Sequence, residues 1–463
     1  MRTLCIGLFF VLTASAVSVS AQSGTTPGMA STAAAPPQAT PLHRYELVEI
    51  PSLHPTGHAY AGGLNQRGEV CGTSLAPNGL SEHAFLFSGG VLTDAHTGWD
   101  TYSWGEDLTD DAAIYGYSNV SNFVLHAFRW QNDVVADLHG GPHNYSRTLS
   151  ANRRGDHGGL VNGFFDGFVT TYRGYLDIGA PAVSILGTFG GQESRLEDLN
   201  DQRLAVGMAR QAEGTPRAFL WQRGTMTDLG DLGGDTAWAK AINEAGTRIV
   251  GRSQVSSGDF HAFLHDGEVM HDLGTLGGSE SQARGINHDG WIVGVADRPD
   301  GLQRAALWVD GNIVDLDALV ATGTDWVLTG AHAINDLGQI AGTGQHNGIQ
   351  RPYRLDPVET RPRHTPAQPS LAGWSARIHV RGATPGAPVE VWGSLSRGPS
   401  VSLCGAPWGL PSPVLLNTAI ADSEGRCEID LQLPSHGQNL TIHTQIVDTL
   451  TCRTSPLVTQ TLH

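Results

Sequence analysis

The stretch that decides the fold runs from Thr236 to Gly278. Its first part, Thr236–Gly251, reads TAWAKAINEAGTRIVG, and its second part, His261–Gly278, reads HAFLHDGEVMHDLGTLGG. Asn243 and Gly246 have the spacing of a four-residue turn, with Asn at the first position and Gly at the fourth. Short segments on either side of the turns predict four strands. A small antiparallel sheet cannot bury both of its own faces, so we expect it to pack against copies of itself.

The turn segment of this stretch occurs seven times along the chain, and its closing glycines are 43–48 residues apart. The copies are residues 65–72, 109–116, 152–159, 200–207, 243–251, 287–294 and 335–342. A period of this length with four short strands per unit is typical of a β-propeller, whereas helical solenoids carry helices in each unit. The sequence therefore predicts an all-β fold with a seven-bladed β-propeller, and an open array of separate sheets is the alternative.

The fourth strand of the repeat is out of phase with the other three. It follows each of the first six copies, but its seventh instance is Tyr45–Ile50, which precedes the first copy. After the last copy, Asp356 leads into a Pro-rich segment instead. We therefore predict that Tyr45–Ile50 pairs with the third strand of the last copy, near Arg351–Leu355. A ring closed by this N-terminal strand would leave no open sheet edge between its first and last units.

The repeats resemble those of the HAF repeat proteins, a family of secreted bacterial proteins. The motif stands here as His83-Ala84-Phe85, His126-Ala127-Phe128 and His261-Ala262-Phe263. In the third copy we take Gly167-Phe168 as its reduced form and Tyr175–Ile178 as the fourth strand. The resemblance extends over about Tyr45–Asp356 and also includes the segment Asp272–Gly278. It implies an extracellular repeat protein and carries no established activity.

The N-terminal residues have the features of a secretory signal. Residues 1–21 contain Arg2, a short apolar run and small residues before a cleavage site near Ala21, which predicts a secreted or periplasmic protein. The apolar run is too short to span a bilayer, so we expect no membrane insertion. Residues 22–42 are rich in Ala, Thr, Ser and Pro without charge, which predicts a disordered tether. The propeller is expected over residues 43–356.

The C-terminal part of the chain departs from the repeat. Residues 357–369 form a Pro-rich linker, and residues 370–463 show alternating segments and turns that predict a small β-sandwich. An oxidising compartment permits disulfides. We favour a bridge between Cys404 and Cys452, although the sequence leaves the partner of Cys427 open. Cys71, alone among the repeats, is expected to be a buried small apolar residue.

Composition excludes some partners. The formal net charge is −17 with only 28 Lys and Arg, which argues against nucleic acid because such partners need a basic surface. No catalytic, phosphate-binding or metal-binding motif is present, so we predict no cofactor and favour a protein that is not an enzyme. The His and Asp residues that recur once per copy are expected to be structural, with the aspartates accepting backbone amides at a tight turn.

Positions that vary between the copies are better candidates for a binding site. They lie five and three residues before the turn Asn, and strand alternation places both on one face of the first strand. The candidate ligand-binding residues are Tyr60, Trp104, Glu106, Arg147, Arg195, Glu197, Trp238, Lys240, Arg284 and His332. Aromatic residues beside arginines suit a glycan or an extracellular protein as partner. Plain packing between the copies is one alternative, and a secreted polysaccharide lyase or hydrolase is another. The oligomeric state is left open.

Overall fold

The chain folds almost entirely into short antiparallel strands. The computed structural model describes residues 44–358 apart from 122–123, 141–144, 163–170, 180–182, 310 and 321–324, together with shorter segments between residues 363 and 462. The predicted signal peptide and tether lie outside the described residues and stay predictions. No helix in the described part is long and apolar enough to cross a membrane.

The strands described up to residue 358 form seven sheets of four antiparallel strands each. The strand β1, Arg44–Glu49, belongs to the last of them. Sheet 1 contains β2 (Ala59–Leu64), β3 (Val70–Leu75), β4 (Glu82–Ser88) and β5 (Val91–Asp94). Sheet 2 contains β6 (Ser103–Leu108), β7 (Ile114–Ser121), β8 (Val124–Gln131) and β9 (Val134–Asp137). Sheet 3 contains β10 (Ser146–Ala151), β11 (His157–Asn162), β12 (Tyr172–Asp177) and β13 (Ser184–Ile185).

The remaining four sheets follow the same order. Sheet 4 contains β14 (Gly190–Leu199), β15 (Ala205–Gln211), β16 (Pro216–Gln222) and β17 (Thr225–Asp228). Sheet 5 contains β18 (Gly233–Ile242), β19 (Ile249–Val255), β20 (Phe260–His265) and β21 (Met270–Asp272). Sheet 6 contains β22 (Ser281–Ile286), β23 (Ile292–Asp297), β24 (Gln303–Val309) and β25 (Asn312–Asp315), before a 3-10 helix at Leu316–Leu319. Sheet 7 contains β26 (Trp326–Ile334), β27 (Ile340–His346), β28 (Ile349–Val358) and β1.

The strand assignment expected for the third copy is wrong. Tyr172–Asp177 is the third strand of sheet 3, and the short segment Ser184–Ile185 is the fourth. The Gly174 amide donates to Ser194 Oγ, as the Ala84 amide of sheet 1 does to the serine that begins the next sheet. Extra residues between the second and third strands thus displace the motif, whose counterpart is residues 173–175. Gly167-Phe168 lies outside the described residues.

The N-terminal strand pairs with the last strand of the repeat region. Arg44–Glu49 runs antiparallel to Ile349–Val358, with Arg44 opposite Val358 and Glu49 opposite Tyr353. The paired segment is thus shifted towards the C-terminus of the predicted partner, and the partner strand runs past residue 356. Because this strand supplies the fourth position of sheet 7, residues from the two ends of the repeat region share one sheet.

Among the described residues, the turn asparagine bonds to the next sheet in five of the seven sheets. Asn200 Oδ1 accepts the backbone amides of Gln202 and Leu204 within its own turn, at 3.0 and 3.1 Å. Its Nδ2 group donates across to the carbonyl oxygen of Asn243 at 3.1 Å. Equivalent bonds to the next sheet are made by Asn65, Asn152, Asn287 and Asn335. The last of these, Asn335 to the Asn65 carbonyl at 2.9 Å, joins sheet 7 to sheet 1.

The recurring His and Asp residues fasten the outer strand of a sheet. In three sheets the His Nδ1 lies 2.9 Å from an Asp Oδ2, in the pairs His83–Asp94, His126–Asp137 and His261–Asp272. The aspartate also accepts the amide two residues further on, as Asp272 does from Gly274 at 2.8 Å. In sheet 4, Arg217 takes the place of the histidine and pairs with Asp228 at 3.0 Å. These residues therefore have a structural role.

This role predicts a graded response at His261. His261→Ala should lower the free energy of unfolding by at most about 1 kcal/mol, because the pair with Asp272 is partly exposed. His261→Arg should restore most of that loss, since arginine already serves in sheet 4. Urea unfolding of both variants measures the difference. An arginine variant less stable than the alanine variant would contradict this role.

Beyond residue 358, two further sheets share one core. The first contains β29 (Arg363–His364), β30 (Gln368–Pro369), β31 (Ser375–Arg381) and β36 (Cys427–Gln432). The second contains β32 (Pro388–Ser394), β35 (Val414–Ile420), β37 (Leu440–Asp448), β38 (Arg453–Thr454) and β39 (Val458–Leu462). A small pair is formed by β33 (Ser402–Leu403) and β34 (Ala406–Pro407). Buried side chains of both sheets, among them Ile378, Ile429, Val391 and Ile446, form one cluster.

The described residues include Cys71 but neither cysteine of the predicted disulfide. Cys71 is fully buried, as expected, and its sulfur accepts the Gly63 amide at 3.3 Å. Burial raises the pKa of the Cys71 thiol far above its ordinary value, so the thiol stays protonated. Cys404 and Cys452 lie outside the described residues, so their disulfide remains a prediction.

Candidate functional site

The first strands of the seven sheets lie side by side around a common centre. Each contacts the next in the order β2, β6, β10, β14, β18, β22 and β26, and β26 contacts β2. A cavity of about 200 Å³ is lined by residues from all seven, including Leu64, Leu199 and Ile334. The predicted binding residues come earlier in these first strands. They therefore lie towards the end of the strands that is opposite this cavity.

A β-bulge re-aims the side chain three residues before the turn Asn. The register of each of the seven first strands shifts near this position, and in five of them the extra residue is a predicted binding residue. These extra residues are Glu106, Glu197, Lys240, Arg284 and His332. A bulge leaves its extra residue outside the ladder and bends the strand, which brings charged side chains of neighbouring sheets together. Strand alternation alone predicted these residues from the sequence. It did not predict the bulge that positions their side chains.

Two groups of predicted residues are joined by ion pairs. Glu197 is bound from both sides, by Arg195 Nε at 2.9 Å and by Lys240 Nζ at 3.1 Å. Glu106 lies 3.6 Å from Arg147 Nη2. Burial raises the pKa of Glu106 although Arg147 and Arg195 oppose the rise. Because 33% of the Glu106 side chain is accessible to solvent, water limits this rise.

The third predicted group consists of Arg284 and His332. Arg284 Nη1 lies 3.4 Å from His332 Nδ1. Burial, followed by the charge of Arg284, lowers the pKa of His332 to about 3, so this imidazole is neutral at physiological pH. Among the described residues no carboxylate lies within ion-pair distance of Arg284. Its guanidinium charge is therefore not neutralised locally.

The aromatic candidates form two stacks with arginines. Trp104 stacks on Tyr117 with 4.9 Å between ring centroids, and the Arg147 guanidinium lies 3.7 Å from the centroid of Tyr117. On the other side of the site, the Arg252 guanidinium lies 4.3 Å from the centroid of Trp238. Such cation–π pairs hold both partners in fixed orientations. Tyr60 stands apart from these stacks, is 41% exposed and has His58 beside it.

Sequence reasoning missed four residues of the site. Tyr117 and Arg252 lie on the second strands, directly opposite Trp104 and Trp238. Phe260 packs against Trp238 at 5.6 Å, and Glu82 accepts the Trp104 Nε1–H at 3.1 Å. A signal for the first two existed, because both directly follow the closing glycine of their copy and this position also varies. Phe260 and Glu82 have no such marker.

The opposite end of the first strands carries acidic side chains, whose carboxylates accept hydrogen bonds from within the protein. Asp110, Asp201, Glu244 and Asp336 each accept a backbone amide from the preceding sheet, at 2.8–3.3 Å. Arg153 pairs with Asp201 and lies 3.7 Å from Glu244. Burial raises the pKa of Glu244 against the attraction of Arg153, and because 45% of this side chain is accessible to solvent, water limits the rise. Within the described part of the chain, no cluster of three His, Cys, Asp or Glu residues could hold a metal ion.

The likeness of this all-β, propeller-like chain to known proteins is remote. No protein-family model matches it, and no curated protein matches it. The propeller domain of the Trilobed protease from Pyrococcus furiosus is similar over 65% of this chain and 93% of that one, at 13% identity and a TM-score of 0.44. TolB from Acinetobacter baumannii is similar over 67% of this chain and 65% of its own, at 11% identity and a TM-score of 0.36.

A third solved structure, from a study of two prolyl endopeptidases, is similar over 88% of this chain and 55% of that one, at 8% identity and a TM-score of 0.29. The chain therefore spans less than two thirds of the length of this structure and of TolB. With TM-scores below 0.5, these likenesses add nothing to the fold described above.

Proposed function

We propose that this protein is a secreted, non-catalytic binding protein of the HAF-repeat type. In this proposal the seven sheets are the blades of a closed propeller, and the two C-terminal sheets form a β-sandwich. Closure is supported by the pairing of β1 with β28 and by the Asn335–Asn65 bond between the last and first sheets. Secretion is supported by the composition of residues 1–21.

The ligand is a glycan, and the paired stacks of Trp104 and Trp238 with their arginines carry this proposal. A sugar ring presents apolar C–H groups that pack on aromatic faces, and its hydroxyls need fixed hydrogen-bond partners. The guanidiniums of Arg147 and Arg252 and the carboxylates of Glu106 and Glu82 supply such partners beside the rings.

Truncating either tryptophan should weaken glycan binding. Trp104→Ala and Trp238→Ala are each expected to lower affinity by about 10-fold or more, because central aromatic contacts dominate recognition. The ligand is found by screening the purified protein on a glycan array, and its affinity is measured by calorimetry. Val134→Ala, which truncates a 67% exposed side chain on an outer strand, is the control and should bind like the wild type. Equal binding by all four proteins would contradict the site.

A polysaccharide-cleaving enzyme is the second candidate, and the state of Glu106 favours it. Burial raises the pKa of this carboxyl, and burial also raises that of Tyr117, which suits a general acid or base. Turnover assays on acidic and neutral polysaccharides separate the two functions. Product formation that is lost in Glu106→Gln while binding is retained would favour the enzyme, and binding without product would favour the binding protein.

A further inference from the structure

Four cationic side chains lie near one another on the first and second strands of sheets 4 to 6. Arg195, Lys240, Arg252 and Arg284 face one another here, and the carboxylate bonded among them is Glu197. Glu106 also attracts Arg195 and Glu280 attracts Arg252, so four cations stand against three carboxylates here, in a protein whose net charge is −17. A local charge opposite to that of the whole chain marks a position where an anion is attracted.

Two of these cations lack a carboxylate partner among the described residues. Arg252 Nε is buried without a hydrogen bond, and its guanidinium lies instead over the Trp238 and Phe260 rings. Arg284 contacts the neutral His332, which neither neutralises its charge nor adds to it. A guanidinium enclosed by protein without an anion is costly, and a bound oxyanion would remove that cost.

The titration behaviour agrees with this geometry. Burial lowers the pKa of Lys240, and Arg195 and Arg252 lower it further, against the attraction of Glu197. Burial and the charge of Arg252 likewise lower the pKa of Arg284. Mutual repulsion of the cations is therefore present at the site, while Glu280 and Glu197 attract Arg252.

We propose that Arg252, Arg284 and Lys240 bind the carboxylate or sulfate group of an acidic sugar whose ring packs on Trp238. Guanidiniums bind such oxyanions with two parallel hydrogen bonds, and the adjacent indole provides the face for the ring. This inference rests on the proposed glycan-binding function and specifies its ligand class. Glu197 stays paired with Arg195 and Lys240, so it orients these cations without cancelling the site.

The anion site is tested first without any sugar. At matched ionic strength, sulfate should raise the melting temperature of the wild-type protein above its value in chloride. Arg252→Gln and Arg284→Gln should each lose most of this difference. Arg154→Gln, which changes an exposed arginine in the turn after Asn152, should keep it. No sulfate-specific shift in the wild type, or an equal shift in all variants, would overturn the anion site.

The sugar is tested by calorimetry with tri-galacturonate and its uncharged trimethyl ester. The wild type should bind the acid at least 10-fold more tightly than the ester, with affinity falling between about 50 and about 150 mM salt. Arg284→Gln should lower affinity for the acid about 10-fold and leave that for the ester within about twofold. Arg252→Lys should retain more acid binding than Arg252→Gln, because it keeps the charge.

The outcomes separate the two proposals. Equal affinity for acid and ester, with no effect of Arg284→Gln, would overturn the anion site and leave glycan binding intact. A sulfate shift without binding of any glycan would support the anion site and contradict the glycan proposal. Tight binding of an acidic peptide such as oligo-glutamate, with no binding of tri-galacturonate, would overturn the assignment of the anion to a sugar. Urea unfolding of each variant shows whether a loss reflects misfolding.

Discussion

Removal of residues 1–50 is expected to abolish the folded state, whereas removal of residues 1–43 is expected to preserve it. The longer deletion takes away β1 and every backbone bond that it makes with Ile349–Val358. It also removes two apolar anchors, because Tyr45 and Ile50 are 2% and 0% exposed. At about 1.5–3 kcal/mol for each buried large side chain, this loss is comparable to the whole stability of many domains, about 5–15 kcal/mol.

The position of these anchors makes the loss larger than that of one outer strand. Tyr45 packs in the cluster that contains Val293 of sheet 6 and Leu355 of sheet 7. Ile50 packs in a different cluster, with Phe85 of sheet 1 and Ala341 of sheet 7. Residues 45–50 thus contribute to two cores, and removal of β1 also exposes the β28 edge to aggregation.

Thermal melts and size-exclusion chromatography of the two truncated proteins measure this difference. The protein that begins at residue 44 should be monodisperse with a melting temperature close to that of the protein that begins at residue 22. The protein that begins at residue 51 should be insoluble or melt far lower. Equal melting temperatures would contradict the closed ring and favour an open array of sheets.

The fold could be predicted from sequence as far as local rules reach. The Asn–Gly turns and the short strands of Thr236–Gly278 depend on neighbouring residues, and repetition multiplied the signal. Hydrogen bonds between sheets are harder to predict from the sequence. The Asn200 side chain, for example, accepts a bond within its own turn through Oδ1 and donates one to the next sheet through Nδ2. In sheet 3 an insertion hid the motif, and the strand pairing and the Gly174–Ser194 bond reveal the true register.

Residues of the candidate site could be predicted at positions where the residue type varies between the copies of the repeat. Trp238 and Lys240 stand out because a repeat that needs only packing has no use for them at those positions. Arg252 was missed because it lies on the second strand, and its place opposite Trp238 depends on strand register. The β-bulge that gathers Glu197, Lys240 and Arg284 leaves no mark in residue type, since it depends on backbone pairing between strands.

Asp198→Ala is expected to cost about 2–4 kcal/mol of unfolding free energy, more than most single substitutions. Its carboxylate joins three sheets: Oδ2 accepts the Ile242 amide of sheet 5 at 2.9 Å, and Oδ1 accepts Ser150 Oγ of sheet 3 and the Leu199 amide, each at 2.8 Å. Alanine would remove the acceptor of the Ile242 amide and of the Ser150 hydroxyl, and would leave the Leu199 amide with only the longer bond to Ser150 Oγ at 3.3 Å. Urea unfolding measures the loss, and Asp235→Ala on an exposed side chain is the control.

The same carboxyl should make stability depend on pH. Burial raises the pKa of Asp198 to about 7, whereas the pKa of an aspartate in an unfolded chain is about 3.9. Between these values the folded protein holds a proton that the unfolded chain has lost. The contribution of Asp198 to stability is therefore present below about pH 4 and is lost as the pH rises towards 7.

Asp198→Asn removes this titration and separates it from other groups. Glu244, whose pKa is also raised, acts in the same direction but is present in both proteins, so its effect cancels in the comparison. The stability of Asp198→Asn relative to the wild type should therefore increase from about pH 5 to about pH 7 and level off above it. Asp235→Asn should follow the wild type throughout. A difference between Asp198→Asn and the wild type that stays constant over this range would show that the Asp198 carboxyl is already ionised at pH 5 in the folded protein.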